Sequence, residues 1–183
     1  MKSYLIFASV ILAGTLAHAA MTENPEVGGA PMFAERNIVE NAVNSADHTT
    51  LVAAVQAAEL VDALQGEGPM TVFAPVNAAF DALPAGTVDT LLQPENKAML
   101  QRVLTSHVVA GILTGAELMR RARASRDGFF HLETLSGAPL SAQVRGGSLW
   151  IYDQSGNAGR VTIADVRQSN GVIHVVDTVL LPR

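Results

Sequence analysis

The chain contains no cysteine in its 183 residues. Disulfide staples, thiol nucleophiles, cysteine-ligated metals and a lipid-modified amino-terminal cysteine are therefore excluded, and the fold must rest on its apolar core alone. Basic charge is also scarce: 12 Lys and Arg stand against 17 Asp and Glu, a formal net charge of −5. A mildly acidic chain exerts no general pull on nucleic acid or anionic membrane. Gly66-Glu67-Gly68 lacks the Lys-Ser/Thr ending of a phosphate loop, and there is no G-x-S-x-G elbow. The five histidines, His18, His48, His107, His131 and His174, are scattered, with no two at metal-ligand spacing. Nothing in the sequence sets an acid, a base and a nucleophile together, so neither an enzyme nor a cofactor is expected.

Long apolar runs are missing too, except at the start. Met1-Lys2 is a short positive segment, Tyr4 to Leu16 is apolar apart from Ser9, Gly14 and Thr15, and Ala17-His18-Ala19 has the small-x-small form of a cleavage site. That order reads as a secretory signal peptide over residues 1–19. The run is shorter than the roughly 20 residues of a spanning helix, so the expected product is exported to the periplasm or the cell exterior with no integral membrane segment. Cleavage there removes Lys2 and moves the formal charge from −5 to −6. The remainder suits one domain, with a monomer as the simplest state.

Residues 20–36 carry Pro25, Gly28, Gly29 and Pro31 without an apolar period and read as a flexible arm. Helical spacing then appears at Ile38, Val39, Ala42 and Val43 behind a candidate cap, Asn37, and again at Leu51, Val52, Val55 and Ala58. Met70 to Ala74 is a short apolar strand stopped by Pro75, after which Asn77 is placed to cap a helix turning Phe80 inward. Glu95 to Ser106 is the clearest helix, with Met99, Leu100, Val103 and Leu104 as its expected buried stripe; another runs from about Gly115 to Ala124. From Phe129 the period becomes two. Phe129–Leu135, Leu140–Arg145, Ser148–Tyr152, Arg160–Asp165 and Val172–Val176 all read as strands, with Gly146-Gly147 suited to a two-residue hairpin turn. Helices crowd the first half and strands the second, which is α+β.

Several of these segments together resemble the fasciclin-domain family. They are Asn37-Ile38-Val39 with Thr50 to Val55; Gly66 through Phe80, including Phe73, Pro75 and Asn77; Ser106-His107-Val108-Val109; Leu135-Ser136-Gly137; and Asn170-Gly171-Val172-Ile173-His174-Val175-Val176-Asp177 with Val179 to Pro182. Val76 stands where the family usually has threonine or serine, and Ser106 replaces the tyrosine of its tyrosine–histidine segment. The resemblance implies a fasciclin domain over residues 37–183, folded as a β-sandwich or wedge with a helical layer along one side. It implies a non-enzymatic role in adhesion, with a cell-surface or matrix protein or a polysaccharide as partner. The receptor binding linked to the tyrosine–histidine pair does not carry over to a chain with Ser106. The alternative function is a periplasmic small-ligand carrier or envelope accessory protein, which would need a concave apolar pocket.

The residues have physical readings of their own. Phe73, Phe80 and Val175 suit a core, Asn170-Gly171 a turn, and Asp177 a loop carboxylate accepting backbone N–H groups. His107 follows an apolar stripe and reads first as a satisfied core histidine and second as a partner contact. Arg120, Arg121, Arg123 and Arg126 cluster at one helix end. They read either as solvated charges complementing the helix dipole or as a patch for an acidic partner.

Overall fold

The computed structural model describes residues 24–182; the signal-peptide segment lies outside them. Two short strands, β1 (Glu26–Val27) and β2 (Ala30–Pro31), pair as a hairpin. A helical stretch follows: α1 (Ile38–Ala42), α2 (Thr49–Ala57), α3 (Val61–Gln65), then β3 (Met70–Pro75), α4 (Asn77–Asp81), α5 (Thr87–Leu91), α6 (Lys97–Thr105), β4 (Val108–Ala110) and α7 (Gly115–Ala124). The last part is all strand: β5 (Phe129–Glu133), β6 (Pro139–Arg145), β7 (Ser148–Tyr152), β8 (Ala158–Gln168) and β9 (Gly171–Val176).

Seven strands form one sheet in the order β4-β3-β9-β8-β7-β6-β5. Its two ends nearly meet, because Val109 of β4 bridges Thr134 just past β5 and the Leu135 N–H donates to the Val108 carbonyl at 2.8 Å. The result is a curled wedge with helices packed alongside. Its spine is the parallel pair β3–β9, in which Ala74 lies opposite Val175. Every residue of both strands is buried, as a strand covered on both faces requires, and both segments are accordingly apolar almost throughout. Val72, Ala74, Ile173 and Val175 face one core, shared with Val27, Met32 and Ile38. Phe73 and Val176 face the other, with Leu118 of α7 and Leu132, Leu140, Leu149 and Ile151 of the hairpins.

Three local expectations are corrected. The arm is not loose over its described part: Val27 is 5% exposed and Met32 2%. Its glycines serve the hairpin turn, since Gly28 and Gly29 both have positive φ. Met99 is 60% exposed, so the buried stripe of α6 is Leu100, Val103 and Leu104. Asn77 does not cap its own helix. Its Oδ1 accepts from the Thr50 N–H at 3.0 Å and its Nδ2 donates to the Ala46 carbonyl at 2.8 Å, so it caps α2 across the fold. Asn37 does cap α1, in a reciprocal box with Glu40. The Gly146-Gly147 turn between β6 and β7 has positive φ at both residues, as a twisted two-residue hairpin needs.

Val175 is 2% exposed and central to the spine. Truncation to Val175→Ala should cost about 1–3 kcal/mol, read as a shift in urea midpoint. Val175→Asp should leave a buried, unpaired charge and no cooperative transition at all. A Val175→Asp protein that melts like the parent would mean that position 175 is not buried in the spine.

Candidate functional site

His107 lies just past the end of α6, between that helix and β4, and is 3% exposed. The Leu180 N–H donates to its Nε2 at 2.9 Å, so that nitrogen carries no proton, and Nδ1–H donates to the Val103 carbonyl at 2.8 Å. Both nitrogens are therefore occupied within the fold, and the ring ties α6 to the carboxy-terminal segment. Ser106 beside it is 1% exposed and bonds the Val103 and Leu180 carbonyls. No aromatic stands there to reach a partner.

His174 repeats the device. It is fully buried and stacks on Phe73 with ring centroids 5.6 Å apart. Its Nδ1 accepts from the Asp165 N–H at 3.2 Å and its Nε2–H donates to the Leu113 carbonyl at 2.8 Å. Asp165 in turn accepts from the Gly115 N–H at 2.8 Å, placing a carboxylate at the start of α7. His48 bonds Ser45 Oγ through Nδ1 at 2.9 Å, while its buried Nε2 has no partner.

The other signature residues are also engaged internally. Asn170 Oδ1 accepts from the Ile38 N–H at 3.1 Å, and its Nδ2 donates to the Leu64 and Gly66 carbonyls. A Cβ on Gly171 would lie 2.1 Å from the Met70 carbonyl oxygen, so only glycine fits against β3. Asp177 accepts from the Arg160 N–H at 2.8 Å. Pro75 ends β3 within the parallel pair, and Phe80 is 7% exposed.

The arginine cluster is solvent-facing but unevenly charged. Arg120 grips Glu117 with two bonds, Nε at 2.9 Å and a terminal nitrogen at 2.7 Å. Arg121 bonds the same carboxylate and lies 5.0 Å over the Phe130 ring. The hydrogen bonds from Arg120 and then Arg121 hold the Glu117 carboxyl below its ordinary range. Arg123 and Arg126 are exposed and make no ion pair or ring contact with the described residues. A pair of free guanidinium groups is what remains of the four.

One arrangement escaped sequence reasoning. His131 stands between Ser141 Oγ, 2.9 Å from its Nδ1, and Asp127, 3.4 Å from its Nε2. The residue types are those of a hydrolytic triad. The His131 and Asp127 side chains are 66% and 55% exposed, His131 on the outer face of β5 and Asp127 in the turn before it, where bulk water reaches them. Among the described residues no group of three His, Cys, Asp or Glu is placed to hold a metal. An apolar cavity of about 60 Å³ lies between the helical layer and the sheet, with Val27, Val55, Val72 and Ile173 in its walls.

Residues 46–182 match the Fasciclin domain family. The chain belongs to the fasciclin family. Among its relatives, Protein sll1483 of Synechocystis sp. is 50% identical over 145 residues, covering 79% of this chain and 73% of that one. The Cell surface glycolipoprotein MPB83 of Mycobacterium bovis is 35% identical over 181 residues, covering 96% of this chain and 73% of the relative. Among solved structures, a FAS1 domain pair from the insect cell adhesion molecule Fasciclin I superposes with a TM-score of 0.69 at 19% identity. That match covers 80% of this chain and 51% of the insect chain, and it shows the fold. No helix of the described fasciclin residues is long and apolar enough to cross a membrane.

The buried imidazoles set a pH dependence for this fasciclin domain. Burial pushes His107 down to about 4, only partly offset by its bond to the Val103 carbonyl; burial lowers His48 and His174 as well. A folded pKa below the unfolded value means that the unfolded chain takes up protons first as pH falls. Stability is thus complete above the ordinary histidine range and is lost on acidification through pH 6.5 towards 4. His107 alone should remove about 3 kcal/mol over that window. Urea midpoints at pH 7, 6, 5 and 4 should fall steadily, and His107→Gln should flatten the slope. A midpoint that stays constant from pH 7 to 4 would contradict the lowering of these imidazoles by burial.

Proposed function

We propose that this protein is an exported, non-enzymatic interaction module that attaches surfaces to one another. The free guanidinium groups of Arg123 and Arg126, exposed on an otherwise acidic chain, are the observation that carries the reading. Family membership supports it: a relative bears the name of a cell-surface glycolipoprotein, and a structural neighbour belongs to a cell adhesion molecule. The engagement of His107 by Val103 and Leu180 leaves it no donor or acceptor for a partner, so the contact falls to outward-facing side chains.

The carrier alternative fits less well. Ligand pockets for drug-sized molecules run to roughly 300–1,000 Å³, against about 60 Å³ for the cavity between helices and sheet. That space holds a molecule of a few heavy atoms at most.

The test is attachment of protein-coated beads to envelope or matrix preparations. Attachment should weaken as salt rises, because exposed charges are screened within about 10 Å at 0.1 M ionic strength. Arg123→Ser with Arg126→Ser should reduce it without moving the melting temperature, whereas Arg120→Ser should do little, since Arg120 is already neutralised by Glu117. Attachment that ignores both salt and the double substitution would remove these arginines from the account; no attachment to any preparation would overturn the function.

A further inference from the structure

The hairpin half of the sheet has two faces with different tasks. Its inner face packs on α7 through Ala142, Leu149 and Ile151. On its outer face the strand register aligns side chains into rows that cross β5 to β8. One row reads Phe129, Gln143, Trp150, Arg160; the next reads His131, Ser141, Tyr152, Ala158. Phe129 and Tyr152 meet edge to face with centroids 5.5 Å apart, and Tyr152 donates to Gln143 Oε1 at 3.0 Å. The Arg145 guanidinium lies 5.8 Å over the Trp150 ring. The Trp150 indole N–H is itself buried and has no hydrogen-bond partner among the described residues, so the ring, not its N–H, is what the face offers. Arg145 and Arg160 are exposed; Arg145 meets no carboxylate among the described residues, and Arg160 is held only at 3.8 Å from Asp177.

We propose that this face binds an acidic polysaccharide whose chain runs across the strands, sugar rings over Phe129 and Trp150 and acidic groups at Arg145 and Arg160. The proposal rests on the interaction-module reading and names the partner's class and place.

Ring chemistry is the first argument. The only large apolar groups in these rows are aromatic, and the positions between them are filled by Gln143, Ser141 and His131. Flat rings interleaved with hydrogen-bonding side chains match the apolar faces and hydroxyl edges of pyranoses. Spacing is the second. Neighbouring strands lie about 4.8 Å apart, so Phe129 and Trp150, two strands apart, are separated by about 10 Å, close to the length of a disaccharide unit. Area is the third. Three strand spacings by the step between the two rows is on the order of 100 Å², about an eighth of the roughly 800 Å² that a stable protein partner covers on each side. A narrow linear chain fits where a protein surface would be held too weakly. Charge is the fourth: Arg145 meets no carboxylate among the described residues and Arg160 is paired only at 3.8 Å with Asp177, so both guanidinium groups can take anionic groups on the ligand.

Trp150 is the only tryptophan, so intrinsic fluorescence reports on the face directly. The purified chain is titrated with an oligogalacturonate, a neutral cello-oligosaccharide and a single-stranded oligonucleotide of matched charge. A saturable change with oligogalacturonate, weaker with the neutral oligomer and weaker still with the oligonucleotide, is expected. Phe129→Ala should weaken oligogalacturonate binding by about tenfold, the scale of one lost stacking contact. Arg145→Gln with Arg160→Gln should erase the preference for acidic over neutral oligomer while leaving the melting temperature unchanged. Trp150→Ala, read by calorimetry, should abolish binding; if it does not fold, the Phe129 and arginine variants decide. No saturable response to either saccharide, equal response to the oligonucleotide, or variants that bind like the parent would overturn the proposal. If saccharides fail while coated beads still attach to envelope preparations, only this proposal falls; if both fail, the interaction reading falls with it.

Discussion

The parallel contact between β3 and β9 is the constraint on which the other parts depend. Backbones approach there so closely that neither Gly68 nor Gly171 tolerates a Cβ; the atom would lie 2.1 Å from the carbonyl oxygen of Asn170 or Met70. Asn170, at the mouth of the pair, fixes α1 through the Ile38 N–H and the end of α3 through two carbonyls. Because the two strands are buried on both faces, their alternating side chains feed two cores at once, one under the helical layer and one inside the curled hairpins. Displacing this pair would therefore disturb both halves of the domain together.

Polar side chains, buried except for the half-buried Asn77, secure the elements around that spine, and with no cysteine in the chain no disulfide shares the task. His107 ties α6 to the last segment, His174 ties β9 to the loop before α7, Asn77 caps α2 from another helix, and Asn41 pairs with both backbone groups of Phe33. Each substitutes a specific hydrogen bond for the local turn chemistry that the sequence lacks at that point. A neutral buried imidazole is a good clamp only while it stays neutral, so the same residues that stabilise the fold make it sensitive to acid. Exposed charges lie outwards instead, on and just after α7 and on the outer sheet face, at Arg123, Arg126 and Arg145.

Much of the fold was legible in the sequence for a simple reason: the signature strands are short β-branched runs bounded by Pro75, Gly171 and the Gly146-Gly147 turn, and such punctuation is local. What was not legible depends on distant partners. Pro25, Gly28, Gly29 and Pro31 look like a loose arm until β1 and β2 pair and Val27 and Met32 find the core. Asn77 looks like the cap of the helix it begins, because nothing in the sequence shows that Thr50 lies beside it. The charge balance of α7 was within reach, since Glu117 stands three and four residues before Arg120 and Arg121. Phe129, Trp150 and Tyr152 sit at outward positions of strands whose periodicity was clear, but their alignment into rows requires the register between strands.

In this fasciclin domain the buried imidazoles of His107 and His174 spend both nitrogens on internal bonds, while charged side chains stand outward on α7 and the hairpin strands. Amide hydrogen exchange of the full chain, alone and with envelope material bound, tests that division most directly. The account predicts added protection on β5 to β8 and at the end of α7, with the Leu180 and Asp165 amides unchanged because their histidine acceptors are already engaged. Added protection centred on Val27, Leu51 and Val72 around the apolar cavity, with the outer sheet face unaffected, would contradict it and restore the carrier reading.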